Sequence, residues 1–169
     1  MTSKFALVIA NTEYQDTRLA KLTAPSKDAE EFAHILGGPE LAAFDDVQVL
    51  LNEGEGKIRR AIARFFTERK RDDLLLLYFS GHGVRNEEGR LFLAVQDTEL
   101  TVLEATSIQA KLVTHAMNNS RSRDSVCMGG DKVIGCFFVG SQIQLTDAVT
   151  LPATPGSGGQ TPAQNDRDE

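Results

Sequence analysis

The chain has 169 residues, of which 41% are hydrophobic and 25% charged, so it can form one domain with a buried core. Its net charge of −6 argues against non-specific binding to nucleic acid or to an acidic membrane surface, and no apolar run approaches the roughly 20 residues that span a bilayer. Cys127 and Cys136 are too few for a disulfide framework, so a cytoplasmic location is the simplest expectation.

The first half of the chain alternates short apolar runs with segments of helical period. Residues 5–10 form an apolar run without alternation, which is typical of a strand covered on both faces. Between residues 28 and 36 apolar side chains recur at intervals of three and four, which predicts a helix that Gly37 ends. Residues 46–52 predict a second strand, and residues 57–69 predict a second helix.

The most apolar run of the chain, residues 74–79, ends at a histidine between two glycines. Its length and its end at Ser80-Gly81-His82-Gly83 favour a central strand over a helix. Residues 84–85 and 91–95 flank a polar turn and predict a hairpin, and residues 106–118 predict a third helix. This order of elements predicts an α/β sandwich with a mainly parallel sheet.

His82 is the main candidate for chemistry because it follows the carboxyl end of a predicted central strand, where open α/β sheets bind ligands. The flanking glycines let the backbone turn sharply and predict an uncovered imidazole, the side chain best suited to proton transfer near neutral pH. The alternative is a histidine that lies in a glycine-rich turn and has no catalytic role. His34 and His115 lie on predicted helices and are interpreted as surface residues.

No metal or cofactor is indicated by the sequence. The glycine-rich phosphate-binding motifs are absent, and the two cysteines and three histidines lack the spacing of zinc ligands. We therefore expect neither a metal site nor a bound cofactor.

Four segments share their pattern with one known family. They are Phe-Ala-Leu-Val-Ile-Ala-Asn-Thr-Glu-Tyr at the start, residues 22–36, Leu-Leu-Leu-Leu-Tyr-Phe-Ser-Gly-His-Gly with the later Leu-Phe-Leu-Ala-Val-Gln-Asp-Thr, and residues 117–123. Together they resemble caspase-like cysteine peptidases, and the bacterial metacaspase type in particular, over about residues 4–126. The resemblance implies a caspase-like three-layer sandwich with a mainly parallel sheet that is incomplete at its C-terminal side.

The resemblance also implies a Cys–His dyad that cleaves peptide bonds. His82 carries over to the acid/base position, and the backbone N–H of Gly83 is the corresponding candidate for the oxyanion donor. Asp28 matches the acidic residue in the pocket for a basic P1 side chain, although an aspartate near a helix start also caps the helix or complements its dipole. Asp97, after the hairpin, is interpreted as structural.

The nucleophile is the part of the family pattern that the chain does not reproduce. It is expected at the end of the strand after Val126, and Cys127 comes too early for it. With an insertion, Cys136 falls one residue before the nucleophile position and remains the candidate thiol. Its neighbours Phe137 and Phe138 favour a small buried cysteine instead, because an apolar setting raises the pKa of a thiol.

These features predict one domain over residues 1–150, divergent from residue 127 onward, and a disordered tail over residues 151–169 rich in Pro, Gly and Thr. The predicted function is a cysteine endopeptidase that is weak or inactive in this chain, acting on a peptide or protein substrate. The alternatives are a non-catalytic caspase-like binding module and, less directly, a small-molecule-binding α/β domain. An incomplete sheet would leave an uncovered position beside the strand 74–79, through which the protein could associate.

Overall fold

The computed structural model describes residues 3–122, 124–129, 136–139, 142–145 and 149–150, and from residue 128 onward it describes only the backbone of the strands. The first half contains β1 (Lys4–Ala10), α1 (Pro25–Gly37), β2 (Asp46–Leu51), α2 (Glu55–Thr67) and β3 (Leu74–Ser80). The second half contains β4 (Gly83–Arg85), β5 (Leu91–Leu93), α3 (Leu103–Thr106), β6 (Ile108–Gln109), α4 (Ala110–Asn118), β7 (Asp124–Gly129), β8 (Cys136–Val139), β9 (Gln142–Leu145) and β10 (Val149–Thr150).

A six-stranded sheet in the order β2-β1-β3-β7-β8-β9 forms the centre of the molecule. The first four strands run parallel, while β8 and β9 are antiparallel to their neighbours. A second, four-stranded sheet in the order β10-β4-β5-β6 lies beyond the carboxyl end of β3. The predicted fold class is thus confirmed: helices flank a mainly parallel central sheet.

The two faces of the central sheet carry separate hydrophobic cores. On one face α2 and α4 pack with Phe65, Val113 and their neighbours against Leu7, Leu77 and the other side chains that point the same way. On the opposite face Ala29 and Leu36 of α1 pack on the alternate residues of β1 and β3. Burial on both faces explains why β1 and β3 are almost uninterrupted apolar runs.

A third, smaller core joins the hairpin to the long loop after β1. Leu19 of that loop packs with Val84, Phe92, Ala94 and Leu103. This cluster stabilises the loop of residues 11–24 against the second sheet and so brings it over the end of β3.

Two expectations need correction. The helix predicted over residues 106–118 forms only from Ala110 onward, as α4. Thr106 is the last residue of α3, and the residues between the two helices are extended because Ile108 pairs with Leu93 of the hairpin. The position beside β3 is also not uncovered, since β7 pairs with it in parallel from Leu74 opposite Asp124 onward.

The predicted tail of residues 151–169 lies outside the described residues. None of the helices described is long and apolar enough to cross a membrane.

Candidate active site

The end of β3 places His82 at the junction of the two sheets. Ser80 closes β3, and its carbonyl accepts the N–H of Asn11 at the end of β1 (2.9 Å). Gly81 follows in a crowded position, where a Cβ atom would lie 3.0 Å from the Tyr14 hydroxyl and 3.2 Å from the Phe79 ring. A side chain at this position would therefore force Tyr14 or Phe79 to move by a few tenths of an ångström, so the close approach favours glycine.

Tyr14 holds the backbone of His82. Its hydroxyl accepts the N–H of His82 at 3.0 Å and donates to the carbonyl of Asn11 at 2.9 Å, and the two rings lie 5.0 Å apart. Burial raises the pKa of the Tyr14 phenol to about 12, so the hydroxyl keeps the proton that it donates. The carbonyl of His82 accepts the N–H of Ala94 at 2.8 Å. Both backbone groups of the histidine are thus satisfied.

The imidazole itself is covered, and the expectation of an uncovered ring is wrong. His82 is only 7% exposed because the loop of residues 11–24 folds back over it. Its Nε2 lies 2.8 Å from the carbonyl oxygen of Ala20. A carbonyl can only accept a hydrogen bond, so Nε2 must carry the proton of this contact. Nδ1 is buried and has no hydrogen-bond partner among the described residues. The acid/base role of His82 stays a prediction.

The covering loop is tied to its surroundings at several points. The side-chain oxygen of Asn52 accepts the N–H groups of Thr12 and Glu13, at 2.8 Å and 3.1 Å. Asp16 accepts the N–H of Leu100 at 2.8 Å and pairs with Arg18. The hydrogen bond from Arg18 and the one from Leu100 hold the pKa of Asp16 well below its ordinary value. These contacts position the Ala20 carbonyl over the imidazole.

Asp28 lies in the first turn of α1 and is half-buried. Burial raises the pKa of the Tyr78 hydroxyl, a hydrogen bond with Ser80 opposes that rise, and the negative charge of Asp28 adds to it. The carboxylate is therefore close to the carboxyl end of β3, the edge from which His82 emerges. No side chain caps the start of α1, so capping is not the role of Asp28, and its role in a P1 pocket stays a prediction.

Gly83 begins β4 directly after the histidine. Because the N–H of Ala94 donates to His82, the facing pair Gly83 and Leu93 is a non-hydrogen-bonded pair of the hairpin. The N–H of Gly83 therefore points away from β5. That is the side on which β10 pairs with β4 from Val84 onward. The role of Gly83 as oxyanion donor stays a prediction.

The two cysteines lie on neighbouring strands. Cys127 is in the middle of β7, opposite Leu77, with 1% of its surface exposed in the core under α2 and α4. It lies three residues before the register position of Ser80, about 10 Å along the strand. Cys136 is the first residue of β8, and its side chain lies outside the described part of the chain. Because β8 runs antiparallel to β7, with Val126 opposite Val139, it begins at the edge where β3 and β7 end.

Sequence reasoning missed Tyr14, Asn52 and Ala20, which hold the histidine and its covering loop. Asp97 has the structural role that was predicted, since it accepts the N–H of Glu55 at 2.8 Å at the start of α2. No group of three or more His, Cys, Asp or Glu side chains among the described residues could hold a metal ion.

Comparisons with known proteins agree with this architecture. A family model for the caspase domain matches residues 3–127. Among curated proteins none matches the sequence. The crystal structure of protein GSU0716 from Geobacter sulfurreducens is similar in fold, with a TM-score of 0.56 and 18% sequence identity over 75% of this chain. The match covers 48% of that protein, so the chain spans about half of its length.

Proposed function

Because the chain belongs to the caspase domain family, we propose that it is a cysteine-peptidase-like domain that binds peptides and cleaves them weakly or not at all. The family suggests a cysteine peptidase. The reduced activity is our inference from the way this chain arranges its histidine and its thiols.

The position of Cys127 carries the proposal. In β7, the parallel neighbour of β3, the thiol points into the core, and Cys127 lies two residues, about 7 Å, before the strand's carboxyl end. The strand ends at Met128 and Gly129, so it supplies no thiol beside His82. The strand next to β3 therefore offers no nucleophile to pair with His82, which supports the reduced activity.

Cys136 is the remaining candidate for the nucleophile. If its thiolate attacked a peptide carbonyl, a C–S bond would form, and the oxygen would take the negative charge near the N–H of Gly83. Protonated Nδ1 of His82 would then give its proton to the leaving amine as the C–N bond breaks. The Ala20 carbonyl would keep Nε2 protonated throughout these steps. Asp28 would face a basic P1 side chain.

A peptide probe with Arg at P1 and a thiol-reactive acyloxymethyl ketone tests this proposal. We expect no covalent labelling above the background of His82→Ala, with the fold of each variant checked by circular dichroism. Labelling that disappears in both His82→Ala and Cys136→Ala, but persists in the matched control Cys127→Ala, would show an active dyad. The predicted metacaspase subgroup is tested in parallel by a probe with Asp at P1.

The second candidate function is a non-catalytic module that binds peptides without cleaving them, and the same position of Cys127 favours it. A fluorescent peptide with Arg at P1 would then bind and stay intact, and Asp28→Asn would weaken its binding. Release of the fragments, seen by mass spectrometry, would contradict this reading.

A further inference from the structure

We propose that the free edge of β2, together with the cations of α2 beside it, binds an acidic peptide segment in extended conformation as an added strand. This surface lies at the opposite side of the sheet from β7 and does not depend on the chemistry of His82. The argument rests on the edge, the groove next to it and the charges that line the groove.

The edge of β2 offers unpaired backbone groups. β2 is the first strand in the sheet order, and in the part of the chain that the structure describes only β1 pairs with it. Asn52 donates its N–H to Ala10 on β1, so by alternation the backbone groups of Val47, Val49 and Leu51 point outward. Natural edges are usually protected by Lys, Pro or a bulge. The strand Asp-Val-Gln-Val-Leu-Leu has none of these, and its one charged residue, Asp46, stands at its first position.

A groove of about 300 Å³ follows this edge under α2. Leu50 and Gln48 of β2 form its floor, and Ala61 and Phe65 of α2 add apolar wall. It therefore offers apolar surface next to open backbone hydrogen-bonding positions, the combination that recognises an extended peptide.

Four cations and one carboxylate, that of Glu68, line the groove, so its charges are mainly positive although the chain carries a net charge of −6. Lys57 is neutralised by Glu53 at 2.5 Å, and Arg69 stacks over Phe5 at 4.1 Å. Arg60 and Arg64 are exposed, and neither has an ion-pair partner within 4 Å among the described residues. Two like charges one helical turn apart destabilise the isolated helix, so an external anion would relieve a repulsion that the fold leaves in place.

The spacing of these arginines fits a strand. Two residues four positions apart in a helix are about 6 Å apart along the helix axis. This is close to the distance of about 6.6 to 6.8 Å between alternate residues of a strand. Acidic side chains at positions i and i+2 of an added strand would therefore face Arg60 and Arg64 together. A second copy of this chain fits less well, because pairing two β2 edges would bring two arginine clusters together. A nucleic acid would meet the net negative charge of the whole domain.

The test uses the full chain and a fluorescein-labelled peptide that alternates Glu with Val. We expect anisotropy to show binding that weakens with salt, and Arg60→Gln/Arg64→Gln to reduce affinity by about five- to tenfold. The matched control Lys27→Gln/Lys111→Gln removes two exposed helical cations elsewhere and should leave affinity unchanged. Val49→Pro removes an outward N–H, not one bonded to β1, and should abolish binding with the fold intact.

Peptide variants keep the proposal testable even if Val49→Pro fails to fold. Replacing every Glu of the peptide by Gln removes its charge, and N-methylation of its backbone blocks strand pairing; each change should reduce binding. The proposal is overturned by equal binding of either modified peptide, by equal losses in the two double variants, or by no binding up to about 1 mM peptide. Self-association that Val49→Pro abolishes would show that a second copy occupies the edge, which also overturns it.

Discussion

Replacing Gly81 by alanine tests the packing that holds the backbone of His82. The new methyl group would lie 3.0 Å from the Tyr14 hydroxyl and 3.2 to 3.3 Å from two atoms of the Phe79 ring. Overpacking of this kind costs about 1–3 kcal/mol, and loss of backbone freedom in the unfolded chain returns about 0.4–1 kcal/mol. We therefore expect Gly81→Ala to lower the free energy of unfolding by about 1–2 kcal/mol.

Part of this loss should come from the hydroxyl of Tyr14, which the methyl group displaces from the N–H of His82. Tyr14→Phe alone leaves that buried N–H unpaired and should cost about 1–3 kcal/mol. In the double variant the hydroxyl that the methyl group meets is gone. The two losses should thus overlap, and the double variant should be about 1 kcal/mol more stable than their sum predicts.

Urea denaturation of the four proteins of this cycle measures the coupling. Gly37→Ala is the matched control, because a Cβ at this last residue of α1 meets nothing within 4 Å. Gly37→Ala should raise the free energy of unfolding by up to about 1 kcal/mol, whereas Gly81→Ala should lower it. The explanation would be refuted if the double variant lost the sum of the two single losses to within about 0.5 kcal/mol, or if Gly81→Ala were as stable as the wild type. In either case the contact with Tyr14 would not be what favours glycine at position 81.

Three further predictions concern the supports of the fold. Asp97→Ala removes the acceptor at the start of α2 and should lower the free energy of unfolding by about 1 kcal/mol, measured by thermal melting; Asp97→Asn, which keeps an acceptor, should lose less. The hydrogen bond from Arg18 holds the pKa of Asp16 low in the folded protein, so on acidification the unfolded chain binds a proton at this residue before the folded chain does. The contribution of Asp16 to the free energy of unfolding is therefore fully present above about pH 4 and is lost as the pH falls further. The free energy of unfolding of Asp16→Asn, measured with urea, should therefore decline less between about pH 5 and pH 2 than that of the wild type. Equal declines in the two proteins would contradict this role of Asp16. In a Cys136→Ser background, Cys127 should react with a thiol reagent only at the rate at which the core opens, and rapid labelling under native conditions would contradict its burial.

The elements of the fold could be predicted because their signals are local. β1 and β3 are apolar on both faces, and α2 repeats its apolar residues at helical intervals, so neither needed knowledge of distant contacts. Residues 107–109 were predicted to be helical but are extended. Their structure depends on the pairing of Ile108 with Leu93, fifteen positions earlier in the chain, and no local hydrophobic period indicates such a pairing.

The site was predicted only in part for the same reason. The position of His82 follows from the strand that precedes it, but its environment depends on the loop of residues 11–24, which has no repeating pattern. Tyr14 reaches the N–H of His82 across 68 positions of sequence, and Asn52 reaches Thr12 across 40. The glycines on either side of the histidine led us to predict an uncovered ring, although a sharp turn is compatible with both an open and a covered ring. The outcome depended on how a distant loop packs.

The oxygen that orients the imidazole belongs to the main chain at Ala20, and this has a consequence for genetics. Ala20 is exposed, so exchanging its side chain leaves the carbonyl in place and the 2.8 Å contact with Nε2 intact. A saturation scan would score this position as tolerant, and variation among natural sequences would give no hint of its importance. Only a change in the path of the backbone, such as a deletion in the loop, would expose the contribution of this position to the phenotype.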